Sequence, residues 1–148
     1  MMEQTDTATE QEITLHLPSD ITIVIVEDDR GHYILTEKCL RQAGASNEII
    51  WFEDGQAALD FFFDEGFNSH RPRCIVLLDI RLPKIDGTVV LKKMKADPKL
   101  ESIPIIMLTT SEDRQIAAEC YKLGCEAHVI KPPGKVLLRA IERLKDRM

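Results

Sequence analysis

Glu27-Asp28, Asp79, Thr109 and Lys131 are residues whose types could act together, because each ends a short apolar run. Ile75-Val76-Leu77-Leu78 leads straight into Asp79, and the turn residues Leu82-Pro83 and Asp86-Gly87 follow. A short apolar run bounded by turn signals reads as a buried strand. An acid ending such a strand sits at the rim of a core, where a lone charge is costly. Three neighbouring carboxylates also repel, and their pKa values rise unless something compensates. A divalent cation compensates, and all-oxygen ligands suit a hard ion such as Mg²⁺. That ion attracts phosphate oxygens, and an ammonium and a hydroxyl can take the remaining ones. A carboxylate can itself be the nucleophile, forming an aspartyl phosphate.

Each residue also has a plainer reading when taken alone. Glu27 and Asp28 can cap the next helix, Thr109 can be a strand-end hydroxyl, and Lys131 a solvated surface lysine. Their joint placement at four strand ends favours the chemical reading, an acyl-phosphate site.

The elements that must position them follow in order. Ile21 to Val26 is dense in β-branched residues and reads as a strand buried on both faces. A helix from about Gly31 to Ala43 is expected next, with Gly44 as its stop. Glu48 to Phe52 reads as a strand, and Asp54 can cap a helix carrying Ala57, Ala58, Phe61 and Phe62 on one face. Gly66 to Pro72 reads as loop. Cys74 to Leu78 is the third strand, followed by a helix with Val90, Leu91 and Met94 inward. Pro104 to Leu108 is the fourth strand, ahead of a helix from about Glu112 to Leu123 with Ser111 as candidate cap. Ala127 to Ile130 is a short fifth strand. The last helix, about Gly134 to Arg147, carries Leu137, Ala140, Ile141 and Leu144 on one face. Five strands alternating with five helices predict an α/β, doubly wound, mostly parallel sheet. The carboxyl ends of its strands share one edge, where ligands bind.

The 148 residues suffice for one domain with one sizeable core, at 44% hydrophobic and 30% charged. Residues 1–20 read as an extension, of which Met1 to Glu12 is polar and acidic, and Ile13 to Leu17 alternates weakly, as a tail lying on the surface or, on a sharper reading, an edge strand or self-association segment. The domain proper is 21–148. A net charge of −6 gives no support for a nucleic-acid partner. The four cysteines form no Cys-x-x-Cys pair and read as free thiols, with Cys39, Cys74 and Cys120 buried. No signal peptide or membrane span is legible, so a soluble, cytoplasmic chain is expected.

Val26-Glu27-Asp28-Asp29, Leu77-Leu78-Asp79-Ile80-Arg81-Leu82-Pro83, Asp86-Gly87, Pro104-Ile105-Ile106-Met107-Leu108-Thr109 and Lys131-Pro132 together resemble the receiver domain of two-component response regulators. The resemblance covers about Ile21 to Arg147 and is similar to stand-alone, CheY-like regulators and those paired with cyanobacterial phytochromes. It implies a flavodoxin-like sheet in the order 2-1-3-4-5. It implies Asp79 as phosphoacceptor from a histidine kinase or phosphotransfer protein, outside any enzyme activity on an external substrate. It implies Mg²⁺ held by Asp28, by Glu27 mainly through water, by Asp79 and by the Arg81 backbone carbonyl. Lys131, with a cis bond to Pro132, would contact the phosphoryl group, and Thr109 would swing toward it.

Three departures stand out. His128 takes the place, three before the lysine, where the family often has an aromatic switch residue. Pro133-Gly134 follows Lys131-Pro132 and stiffens the loop into the last helix. Arg81 and Ser111 occupy positions that tune dephosphorylation in this family. No output domain is expected after the last helix, so output is expected from binding another protein, from self-association (a dimer through the last helix and fifth strand), or from passing the phosphoryl group on. Three rivals are weaker. A phosphohydrolase would commonly carry a second acid where Arg81 stands. A nucleotide- or flavin-binding module would want a glycine-rich loop in place of Glu27-Asp28-Asp29. A phosphorylation-independent binding module would usually have a degraded acidic pocket.

Overall fold

The structure is a computed structural model that describes residues 13–70, 72–110 and 113–146. Met1 to Glu12, Ser111 and Arg147, about which the sequence raised expectations, lie outside the described residues. Five parallel strands form one sheet: β1 Thr22–Val26, β2 Ile49–Phe52, β3 Cys74–Asp79, β4 Ile105–Thr109 and β5 Ala127–Ile130. Their order is β2-β1-β3-β4-β5, as expected.

Alternation along each strand divides the core between the two faces. Ile23, Ile25, Ile75, Leu77, Ile106 and Leu108 pack on one side with helices α1, Arg30–Gln42, and α6, Lys135–Lys145. Val24, Val26, Val76, Leu78, Ile105 and Met107 pack on the other with α2, Gly55–Phe62, α4, Gly87–Ala96, and α5, Arg114–Leu123. Both faces being covered is why the central strands read as unbroken apolar runs. β3 is buried along its whole length, including Asp79.

Four local expectations are corrected. Six helices are described rather than five: α3, Glu65–His70, lies within the stretch that reads as loop. It forms because Phe67 packs edge-on against Phe62, with centroids 5.2 Å apart, which compensates for poor helix formers in a helix of six residues. On α2 the buried face is Gly55, Ala58, Leu59 and Phe62, with Ala57 and Phe61 only half-buried. The cap of α5 is Asp113, whose carboxylate accepts from the Gln115 and Ile116 N–H groups, so the helix starts at Arg114 rather than near Glu112. Ile13 to Leu17 forms no strand. Leu15 is instead buried against α1 and α6, its N–H donating to the Ala43 carbonyl at 2.8 Å, while the His16 N–H donates to Glu142 Oε2 at 2.7 Å.

Cys74, Cys120 and Cys125 are buried and Cys39 is half-buried, all as free thiols. Burial pushes the Cys125 thiol up to about 12 and Cys74 up to about 11, which leaves both unreactive. Among the described residues no helix is long and apolar enough to cross a membrane.

Candidate functional site: an acidic pocket at the carboxyl edge of the sheet

The chain leaves β1 toward β2 on one side and reaches β3 on the other, which opens a crevice at the ends of β1 and β3. Glu27 follows β1 and Asp79 ends β3, so their side chains meet there. One ligand oxygen from each of Glu27, Asp28 and Asp79 lies within 4.8 Å of the others. Glu27 and Asp79 are buried and Asp28 is exposed at the mouth. The competing use of these acids as helix caps falls away. Asp29 caps α1 instead, accepting from the His32 N–H at 2.9 Å. That bond holds the Asp29 carboxyl below its ordinary value.

Glu27 is held from three sides. Its Oε2 accepts from the Asp29 N–H at 3.1 Å. Its carbonyl accepts from the Trp51 indole at 2.7 Å, and that ring stacks on Tyr33 with centroids 4.1 Å apart. Its Oε1 accepts from the Lys131 ammonium, which also donates to Asp79 Oδ2 at 3.0 Å. Burial pushes the Glu27 carboxyl above its ordinary value, with the Lys131 hydrogen bond pulling the other way. Lys131 arrives from the far side of the sheet. Its N–H donates to the Thr109 carbonyl at 2.7 Å, and the bond to Pro132 is cis, as the resemblance implies.

Asp79 is positioned from below by Gly87. The Gly87 N–H donates to the Ile80 carbonyl at 2.6 Å, and a Cβ at Gly87 would lie 2.0 Å from the Asp79 carbonyl oxygen. Only glycine allows that approach. The turn between them is tight enough to place Lys84 in the left-handed region, at φ 68°.

The pocket thus gathers Glu27, Asp28, Asp79 and Lys131, with the buried Thr109 one residue beyond in the β4–β5 register opposite Ile130. Arg81 lies exposed in the loop after β3. His128 stands apart on β5 opposite Met107, half-buried, with Nε2 buried and without a hydrogen-bond partner among the described residues. Two residues at the pocket escaped the sequence reading. His32 Nδ1 lies 3.3 Å from Lys131 Nζ, and Trp51 grips Glu27 from β2. The signal for His32 was its position three residues after the cap Asp29, on the first turn of the helix that follows the acids.

Three carboxylates and one ammonium carry a formal excess of two negative charges, which one divalent cation cancels. The all-oxygen donor set fits a hard cation, and Lys131 now occupies part of the place such an ion would neutralise.

The family model described as the response regulator receiver domain matches residues 23–142. The probable methanogenesis regulatory protein FilR2 of Methanothrix harundinacea is 37% identical over 126 residues, covering 84% of this chain and 81% of that protein. Response regulator Rcp1 of Synechocystis is 36% identical over 111 residues, covering 74% of this chain and 75% of that protein. The crystal structure of the Mn(2+)-bound form of Rcp1 superposes with a TM-score of 0.68 at 33% identity, covering 84% of this chain and 91% of that one. The strand order agrees with these matches, and the chain belongs to the receiver domains of two-component response regulators.

Proposed function

We propose that this receiver domain is switched by phosphorylation of Asp79 in the presence of Mg²⁺. The observation that carries this reading is the convergence of Glu27, Asp28 and Asp79 around a pocket closed by the Lys131 ammonium. Glu27, Asp28, Asp79 and the Arg81 carbonyl would hold the cation, which shields the approaching phosphoryl oxygens. That the similar regulator Rcp1 has a Mn(2+)-bound form supports a divalent cation for this domain.

Asp79 is the acceptor because it is buried at a strand end and locked by Gly87, while Lys131 is within reach of the charge the new group brings. The Asp79 oxygen attacks phosphorus. The bond from phosphorus to the donor's nitrogen breaks, and its electron pair leaves on the donor, a sensor histidine kinase or a histidine phosphotransfer protein. Lys131 then pairs with one phosphoryl oxygen and the Thr109 hydroxyl with another. The domain acts as a signalling protein, whose only chemistry is its own phosphorylation and dephosphorylation.

Thr109 and His128 carry the change to β5, where Ile130 is 38% exposed, and to α6, where Val136 is 62% exposed. Those apolar side chains support a partner or a second copy at this face. Arg81, beside the acceptor, and Ser111 tune how long the phosphoryl group lasts. Arg81→Asn should speed its loss severalfold, read as decay of the phosphorylated protein. The central test is incubation with Mg²⁺ and acetyl phosphate, followed by intact mass. One phosphoryl group should appear in the parent and none in Asp79→Asn. No added mass in the parent, or added mass retained in Asp79→Asn, removes the reading.

A further inference from the structure

An ammonium donates three hydrogen bonds and accepts none. Lys131 Nζ has three acceptors: Glu27 Oε1, Asp79 Oδ2 at 3.0 Å and His32 Nδ1 at 3.3 Å. Because Lys131 can only donate, this contact is a hydrogen bond when His32 Nδ1 offers its lone pair. The His32 backbone is pinned on both sides. Its N–H donates to Asp29 Oδ1 at 2.9 Å, and its carbonyl accepts from Thr36 Oγ1 at 3.1 Å. The imidazole is 40% exposed, but the Lys131 side chain is only 4% exposed and depends on protein acceptors.

We propose that His32 is a positioning residue that keeps the Lys131 ammonium in the pocket when Glu27 turns to a divalent cation. The inference rests on the reading that Glu27, Asp28 and Asp79 take that cation. Two of the three acceptors around Lys131 are then drawn to it. A buried ammonium left without acceptors is costly. The His32 nitrogen is not drawn away, because a hard cation prefers oxygen. There is also space for the ammonium to move. A cavity of about 220 Å³ opens beside it, lined by His32, Leu35, Thr110, Lys131, Pro132 and Pro133.

The consequence is asymmetric. Without His32, the metal-free protein still offers Lys131 two carboxylates, so little is lost. The metal-bound protein offers it much less, so the loss falls on the bound state. Removing His32 should therefore weaken cation binding, although His32 is no cation ligand.

Trp51 is the one tryptophan of the chain and donates to the Glu27 carbonyl, so its fluorescence reports on the pocket. Mg²⁺ titrations of the full chain, followed by that signal, test the inference. His32→Leu should bind Mg²⁺ about threefold to tenfold more weakly, and His32→Gln, whose amide oxygen can accept, within about twofold of the parent. In a Lys131→Met background, His32→Leu should change nothing, because no ammonium remains to be held. Parent-like or tighter binding by His32→Leu overturns the inference and leaves Mg²⁺ binding standing. So does equal weakening with and without Lys131. No Mg²⁺ response in the parent overturns the functional reading, and the inference with it.

Discussion

At the β1–β3 end of the sheet edge, Glu27 accepts the Asp29 N–H, its carbonyl takes the Trp51 indole, and Lys131 ties it to Asp79. At the β4–β5 end, His128 Nε2 is buried with no partner among the described residues, and Ile130 and Tyr121 are exposed. One half of the edge is a closed network of hydrogen bonds, and the other keeps an unmet polar atom beside an apolar surface. A satisfied network is costly to disturb, whereas an unpartnered group gives up nothing when it moves. The division fits the proposed switch, in which Asp79 is held in place while the β4–β5 face changes shape.

The firmest way to break this contrast is at Gly87. A methyl group there would meet the Asp79 carbonyl oxygen at 2.0 Å and the Ile80 Cα at 2.8 Å, both backbone atoms that cannot swing aside. Gly87→Ala should cost about 3 kcal/mol in urea unfolding, at the upper end of overpacking effects. An unchanged unfolding midpoint would mean that the Asp79 end of β3 is not held from below.

Lys131→Met attacks the same half through charge. Removing one partner of a buried ion pair typically costs about 3 kcal/mol, and here it leaves Glu27 and Asp79 facing each other. The pH dependence of the parent carries a related sign. Burial raises the Glu27 carboxyl above its ordinary value of 4.5, so the folded state holds that proton more tightly than the unfolded chain does. The stability this provides is present below 4.5 and is lost as pH rises through the folded value. Urea midpoints in metal-free buffer should therefore carry a falling component above pH 4.5, and Glu27→Gln should remove it. A slope unchanged in Glu27→Gln would assign it to another group.

The β4–β5 half should answer more weakly and with the opposite sign. Burial lowers the His128 imidazole below its ordinary value of 6.5, so the unfolded chain binds the proton more readily. Stability linked to His128 is present above 6.5 and is lost as pH falls toward the folded value. His128→Phe should remove that loss and gain about 1 kcal/mol by deleting an unpartnered buried nitrogen. Destabilisation by His128→Phe would show that the nitrogen has a partner after all.

Much of this was legible locally. The strands ending in Glu27, Asp79, Thr109 and Lys131 announce themselves as apolar runs cut off by polar residues, and Asp54 and Gly124 bound their helices as their types suggest. What escaped was held by contacts made elsewhere. Glu65–His70 becomes a helix because Phe67 finds Phe61 and Phe62, not because its own residues favour one. Leu15 is buried without belonging to any strand, because α1 and α6 together leave a place for it. Glu27 and Asp28 read as possible caps of α1, and the fold gives that place to Asp29.

By itself the sequence determined the alternation of strands and helices and which side chains stand at the strand ends. Both follow from residue type and spacing along the chain. Only the tertiary structure decided that Lys131 bridges Glu27 and Asp79, and that His32, 99 residues away in sequence, faces its ammonium. Those contacts depend on which strands lie side by side. Local pattern predicts a strand's end but not its neighbour's side chain, and the chemistry of the Asp79 pocket is made of neighbours.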